Sequence, residues 1–293
     1  MEEEIKENLT KRVVVPEAEE ILGKTIDCLD HGFVRLVDYM GGDSSIVQAA
    51  RVSYGKGTKT TNEDRGLIRY LLRNRHTTPL EMVEMKWHCK MPIFVARQWV
   101  RHRTASINEY SLRYSEPKDE FYIPKADEIR FQSVTNRQGS SEEKVSDEVA
   151  SKVIDFIRNT STSSMKAYEE MSKDGIAKEL ARMGLPINLY TEWYWKNDLH
   201  NTLHFLKLRL DHHAQKEIRV YAEAMANVVK KVTPLAYEAF EDYVLNSVSF
   251  SALELKALKT CMSGIPAAEA SSIIENKREK AEFLDKIDRY LTD

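Results

Sequence analysis

The 293-residue sequence is short of cysteine, glycine and long apolar runs, and each shortage removes a class of protein. Its three cysteines, Cys28, Cys89 and Cys261, are far apart, odd in number and without a CxxC pair. They build neither a disulfide framework nor a zinc ribbon, and their use fits a reducing, cytoplasmic setting. Eleven glycines supply no GxxxxGK[ST], and GKGTKT at 55–60 does not satisfy GxGxxG. A nucleotide site here relies on side chains, not on a glycine-rich turn. No run of eighteen apolar residues exists, so neither a transmembrane span nor a membrane partner is expected. The charged start, MEEEIKENLTKR, lacks the apolar segment of a signal peptide. A formal net charge of −3 argues against a chain that binds nucleic acid over its whole surface, although a local basic patch can still hold phosphates.

What is present is a globular composition, 42% hydrophobic and 30% charged, ample for a buried core. MVEMKWHCKM alternates strictly, Val83, Met85, Trp87, Cys89 and Met91 against Glu84, Lys86, His88 and Lys90, and predicts a half-buried strand. FVRLVDYM (33–40) and INLYTEWYW predict two more. SSIVQAARVSY, started by Asp43 or Ser44, and NEDRGLIRYLLRNRH predict helices. Pro92 suits the first turn of a helix PIFVARQWVRHR. A long helix over 147–173 ends before Gly175, and IAKELARM forms a short one before Gly184. NDLHNTLHFLKLRL, capped by Asn197 or Asp198, and AQKEIRVYAEAMANVV follow, and the chain is helical beyond Pro234. EPKDEFYIPKADEIR reads as a loop, and RQGSSEEKVSDE (137–148) as the most solvated segment. The fold class is α/β (α+β), a central mixed or antiparallel sheet flanked by helices. Residues 1–25 read as an extension, 26–245 as the main domain and 246–293 as a helical C-terminal extension. In that extension Ile273, Ile274, Phe283, Leu284, Ile287 and Leu291 form a stripe expected to dock on a partner surface.

RHRTASINEYSLRYS, residues 101–115, is too polar for a core strand and too irregular for an amphipathic helix. Arg97, Arg101, Arg103 and Arg113 face a single nearby carboxylate, Glu109. On a continued helix Arg97, Gln98 and Arg101 share one face. Guanidinium forks with serine and asparagine donors suit an anionic, phosphate-bearing ligand; the alternative is a solvated loop. Arg209, among Phe205, Leu206, Leu208 and Leu210, needs a partner because an unpaired buried charge is expensive. Arg182 in ELARMGLP poses the same question, with a structural salt bridge as the alternative. His76, Thr78 and Glu81 in HTTPLE read as a cap at a polar bend. His200 and His204 stand one turn apart, with Asp211, His212 and His213 after them, but no HExxH accompanies them and no metal is assigned.

RHRTASINEYSLRY fits RHRxxSxNExSxRY at all nine fixed positions, Arg101, His102, Arg103, Ser106, Asn108, Glu109, Ser111, Arg113 and Tyr114. In this the chain resembles the flavin-dependent thymidylate synthases. HTTPLE, PIFVARQWVRHR, ELARMGLPINLYTEW and LKLRLDHHAQKEIRVYA resemble them too, so the likeness covers roughly residues 26 to 245. It implies methylation of dUMP to dTMP, with methylenetetrahydrofolate as one-carbon donor and a hydride from FAD that NADPH reduces. It also implies a homotetramer with active sites shared between subunits. By the resemblance, Arg101, His102 and Arg103 contact FAD, and Thr78, Glu109 and His204 reach a flavin bound by a neighbouring subunit. Asp198, Leu199 and His200 match a further FAD-contacting segment. His204 departs from members that carry an amide. Gln98 and Arg101, with Glu109, Tyr110, Ser111, Leu112 and Arg113, bind dUMP alongside Arg182 and Arg209. Arg209 matches the residue that stabilises the pyrimidine anion at N3. Without a dinucleotide fingerprint, NADPH and the folate are expected to share a pocket beside the flavin, the folate near His76.

The chemistry of the residues is compatible. No cysteine lies in either cluster, so the uracil must be polarised otherwise, and an arginine does this electrostatically. Ser111 lacks an identifiable activating His–Asp pair and is assigned to binding. Two other readings remain: a nucleic-acid-binding protein that stacks bases on Tyr110 and Tyr114, and a metal-dependent hydrolase built on His200, His204, His212 and His213.

Overall fold

The alternation in MVEMKWHCKM becomes the middle strand of a sheet. The computed structural model describes residues 12–52, 61–134 and 139–291. They form two compact units, one ending at Phe240 and the other beginning at Glu241. In chain order the first contains α1 (Pro16–Glu19), β1 (Thr25–Cys28), β2 (Gly32–Met40), α2 (Asp43–Val52), α3 (Thr61–Arg73), β3 (Glu84–Pro92) and α4 (Ile93–Trp99). There follow β4 (Ser106–Glu109), β5 (Arg130–Gln132), β6 (Ser140–Lys144), α5 (Asp147–Lys173) and α6 (Lys178–Ala181). β7 (Tyr190–Asp198), α7 (Leu199–Arg209), α8 (Lys216–Val232) and α9 (Pro234–Phe240) complete it.

Five strands pair in the order β1-β2-β3-β7-β4, antiparallel throughout. One face buries Met85, Trp87, Cys89 and Met91 of β3 and Trp193 and Trp195 of β7, and α4, α7 and α8 pack on it. The other face carries Glu84, Lys86 and His88, with Lys196 on Glu84 at 3.1 Å and His88 Nε2 on Glu192 at 3.1 Å. This is the fold class the periodicity predicts: one sheet face hydrophobic, the other solvated. Trp99, fully buried, stacks on Phe205 at 4.7 Å and meets Trp193 and Trp195 edge-on, fastening the end of α4 to α7 and the sheet. Gly32 is required by crowding, since a Cβ there would meet the Tyr221 hydroxyl and the carbonyls of Cys28 and Lys90 below 3.0 Å.

Several expectations change. The helix from Pro92 stops at Trp99, with Pro92 as the last residue of β3, so Arg101 lies outside it. The next turn, Arg101–Thr104, offers no apolar residue to bury, and the sheet edge recruits residues 106–109 as β4 instead. β1, β4, β5 and β6 escape sequence reading because they are three to five residues long, and β4, β5 and most of β6 are exposed. Asp43 does not cap α2; its carboxylate accepts from the backbone N–H of Leu235 and Ala236 and caps α9. α6 ends at Ala181, and a 3-10 turn carries the chain through Gly184. Asp198 caps α7 as expected, accepting from Asn201 N at 2.8 Å, and α5 ends before Gly175, whose φ is +78°.

The second unit has a π-turn (Glu241–Leu245), α10 (Ala252–Met262), α11 (Ala267–Ala270) and α12 (Lys277–Leu291). Ala257, Ile274 and Phe283 are its core, with Leu284 and Ile287 packed against them. The stripe expected to dock on a partner therefore faces its own unit, leaving Ile273 and Leu291 exposed. Among the described residues no helix is long and apolar enough to cross a membrane.

Candidate active site

Two turns wrap the end of α4: His102 N donates to Trp99 O at 2.9 Å, and Arg101 N to Gln98 O at 3.4 Å. They swing Arg101, His102 and Arg103 out of the helix and over α7, which the Trp99–Phe205 stack holds beside them. The result is a cleft of about 270 Å³ lined by Arg101, His102, Arg103, His204 and Arg209, with Thr104, Trp195, Asn201 and Leu208 between them. Three guanidiniums line it and, among the described residues, no carboxylate does. Arg209 is half-buried; its Nε donates to His102 Nε2 at 3.1 Å and its Nη2 to the Gln98 carbonyl at 3.4 Å. Burial lowers the pKa of Arg209, while His102 falls to about 4 through burial and the neighbouring charges of Arg209 and His204. The Gln98 side chain is joined to that of Gln215.

A second group lies at the far end of β4. That strand pairs with β7 from Ser106 opposite Lys196 to Glu109 opposite Trp193, and its four residues alone span roughly 10 Å. Glu109 Oε1 accepts from Thr191 at 2.8 Å, and Tyr110 donates its hydroxyl to the Glu116 carbonyl at 2.8 Å. Ser111 Oγ accepts from Arg113 N at 3.3 Å. Arg113 pairs with Glu179 at 3.3 Å and Lys178 with Glu116 at 3.6 Å, which ties the loop holding Ser111, Leu112 and Arg113 to the helix that leads into Arg182. None of Glu109–Arg113 or Arg182 lines the cleft. Among the described residues no carboxylate pairs with Arg97, Arg101, Arg103, Arg182 or Arg209.

Thr78 opens a 3-10 turn (Thr78–Met82) that packs on α7, and Leu199 N donates to Val83 O at 2.7 Å. This sets Thr78 near the start of α7, with His204 and Arg209 further along the same helix, whose eleven residues span roughly 16 Å. Leu199 is fully buried and offers a ligand only its backbone; the Asp198 carboxylate is committed to Asn201. Among the described residues no side-chain hydrogen bond joins His76, Thr78 or Glu81 to the bend, so the expected cap is not formed, and the exposed His76 rests edge-on against Tyr70 at 5.6 Å.

His200 and His204 stand apart from Asp211, His212 and His213, an exposed trio beyond the end of α7 in which His213 bonds Asp211 at 2.9 Å. The four histidines of the hydrolase reading do not converge. Sequence reasoning missed Asn201, Thr104 and Leu208; the i, i+3, i+4 spacing of 201, 204 and 208 on α7 is the signal that finds two of them once His204 is singled out. Cys28 and Cys89 are buried, and burial raises both thiols, Cys28 to about 12. Burial thus disfavours the thiolate form of both.

The family described as "Thymidylate synthase complementing protein" matches residues 35–235. The chain is 53% identical over 288 residues to the flavin-dependent thymidylate synthase of Rickettsia bellii, across 94% of this chain and 98% of that protein. It is 54% identical over 277 residues to the flavin-dependent thymidylate synthase of Ehrlichia ruminantium (strain Gardel), across 94% and 93%. Among solved structures, the UMP/dUMP methylase PolB from Streptomyces cacaoi bound with 5-Br dUMP aligns with a TM-score of 0.69 at 32% identity, across 76% of this chain and 100% of that one. The resemblance carried by RHRTASINEYSLRY thus extends over nearly the whole chain, which belongs to the flavin-dependent thymidylate synthase family of enzymes.

Proposed function

We propose that the chain methylates dUMP to dTMP, using methylenetetrahydrofolate as one-carbon donor and FAD that NADPH re-reduces. Arg209 carries the reading: a half-buried guanidinium whose protein partners, His102 and the Gln98 carbonyl, leave its charge uncompensated. Set beside N3 and O2 of the uracil, such a fixed cation stabilises negative charge as it develops, with no thiolate required. The buried thiols of Cys28 and Cys89 support that route. Ser111 Oγ accepts from the Arg113 amide and, among the described residues, bonds no imidazole.

The cleft fits an anionic cofactor, because three guanidiniums line it and Arg101 and Arg103 pair with no carboxylate among the described residues. FAD would be held by Thr78, Arg101, His102, Arg103, Glu109, Asp198, Leu199, His200 and His204. When bound it supplies the redox chemistry, while the protein supplies orientation and fixed positive charge. dUMP is assigned to Gln98, Arg101, Glu109, Tyr110, Ser111, Leu112, Arg113, Arg182 and Arg209. These residues lie at opposite ends of β4, which supports a homotetramer whose sites take one half from each of two subunits. PolB, bound with 5-Br dUMP, supports the uridylate part of the assignment. The synthase activity is assigned to residues 26–245, with the helical second unit an extension and the cytoplasm the setting its free cysteines suit.

Purified protein is expected to be yellow and to release FAD on denaturation, at about one per chain. It should form dTMP anaerobically from dUMP, methylenetetrahydrofolate and NADPH, with UMP run alongside to test the sugar. A colourless protein that takes up no added FAD contradicts the assignment.

A further inference from the structure

We propose that His102 is a positioning residue for Arg209: its ring accepts the Arg209 Nε–H and so fixes the guanidinium without neutralising it. The inference rests on the reading of Arg209 as the group that meets the uracil, and adds what aims it. Arginine cannot give up its proton here and has no acceptor, so it must be the donor in the 3.1 Å contact with His102 Nε2. That fixes the ring as the neutral Nδ1–H tautomer. The Gln98 carbonyl, at the C-terminal turn of α4, takes Nη2 at 3.4 Å.

The pair is seated on the aromatic core. The His102 ring stands edge-on to Phe205 at 5.0 Å, and Phe205 stacks on Trp99. A carboxylate in place of His102 would hold the guanidinium equally well but cancel the charge the reaction needs. A neutral ring nitrogen and a carbonyl hold it and leave it cationic. Burial and the neighbouring Arg209 and His204 of α7 keep the ring neutral; Arg101 and Arg103 flank it in its own segment, and among the described residues no carboxylate lines the cleft. Its Nδ1–H, without a partner among the described residues, remains to donate to whatever occupies the cleft.

The test is the dissociation constant of dUMP on FAD-loaded protein, with flavin occupancy read from the visible spectrum. Four variants are compared: Arg209→Ala, His102→Leu, His102→Gln and the double variant Arg209→Ala/His102→Leu. Removing a hydrogen bond to a charged group should make His102→Leu bind dUMP about tenfold more weakly or worse. His102→Gln, which restores an acceptor, should recover most of that loss. The double variant should bind no more weakly than Arg209→Ala alone, since His102 acts through Arg209. If Arg209→Ala weakens dUMP while His102→Leu does not, or the two losses simply add, the positioning role is wrong. If Arg209→Ala leaves dUMP binding unchanged, the underlying reading of Arg209 is what fails. Should His102→Leu not load FAD, ¹⁵N spectra of the ligand-free wild type decide: Nδ1 protonated and Nε2 bare from about pH 5 to about pH 8 supports the pair. The opposite tautomer, or a ring that charges near pH 6.5, overturns it.

Discussion

Asp43 begins α2 but serves another helix, holding the first amides of α9 with both carboxylate oxygens. Burial raises its pKa from 3.8 to about 6, outweighing the lowering by those two N–H groups. The folded state therefore binds this proton more tightly than the unfolded chain. Its contribution to stability is complete below the ordinary value of 3.8 and is lost as pH rises through about 6. Asp43→Asn keeps an acceptor and does not titrate, so the stability advantage of wild type over this variant should be largest near pH 4 and shrink towards pH 7, as urea unfolding at each pH would show. A difference that stays constant with pH would mean that Asp43 does not titrate in this range. Asp43→Ala, which strips the cap, should cost about 1 kcal/mol or more at neutral pH. At this scale the sequence was most legible where a charge stood among apolar neighbours, as at Arg209. It was least legible where the partner was distant, because nothing near Asp43 announces Leu235 and Ala236, nearly two hundred residues on.

Among the elements, β3 and β7 were readable because each buries one face, which forces the side chains to alternate. β4 was not, since all four of its residues are exposed and hydrogen bonding to β7, not burial, makes it a strand. The end of α4 is where this mattered for the site: the register that would have put Arg97, Gln98 and Arg101 on one face gives way to a turn that aims Arg101, His102 and Arg103 over α7. Trp99 anchors that turn. Trp99→Ala should destabilise the fold by about 3–5 kcal/mol in urea unfolding. Loss of that anchor should also weaken dUMP binding under conditions where the variant is still folded. If binding is untouched while stability falls, the aromatic cluster supports the core but does not place the site.

At the scale of the whole molecule, the candidate site is legible as a set of residues and illegible as a place. The motif names the side chains, but only the strand register shows that Arg101, His102 and Arg209 stand at one end of β4 and Ser111, Arg113 and Arg182 at the other. If two subunits complete each site, Arg209→Ala and Arg182→Ala chains, each inactive alone, should regain activity when mixed into hybrid oligomers. Random assembly leaves about a quarter of the sites with both halves intact. No recovery in verified hybrids would place both halves in one chain. The central claim, that a fixed arginine activates the uracil, is tested most directly by the rate of dTMP formation from dUMP in FAD-loaded wild type and FAD-loaded Arg209→Ala. Wild type should turn over, and the folded variant should be slower by about a hundredfold or more. Turnover of the variant at the wild-type rate would contradict the account.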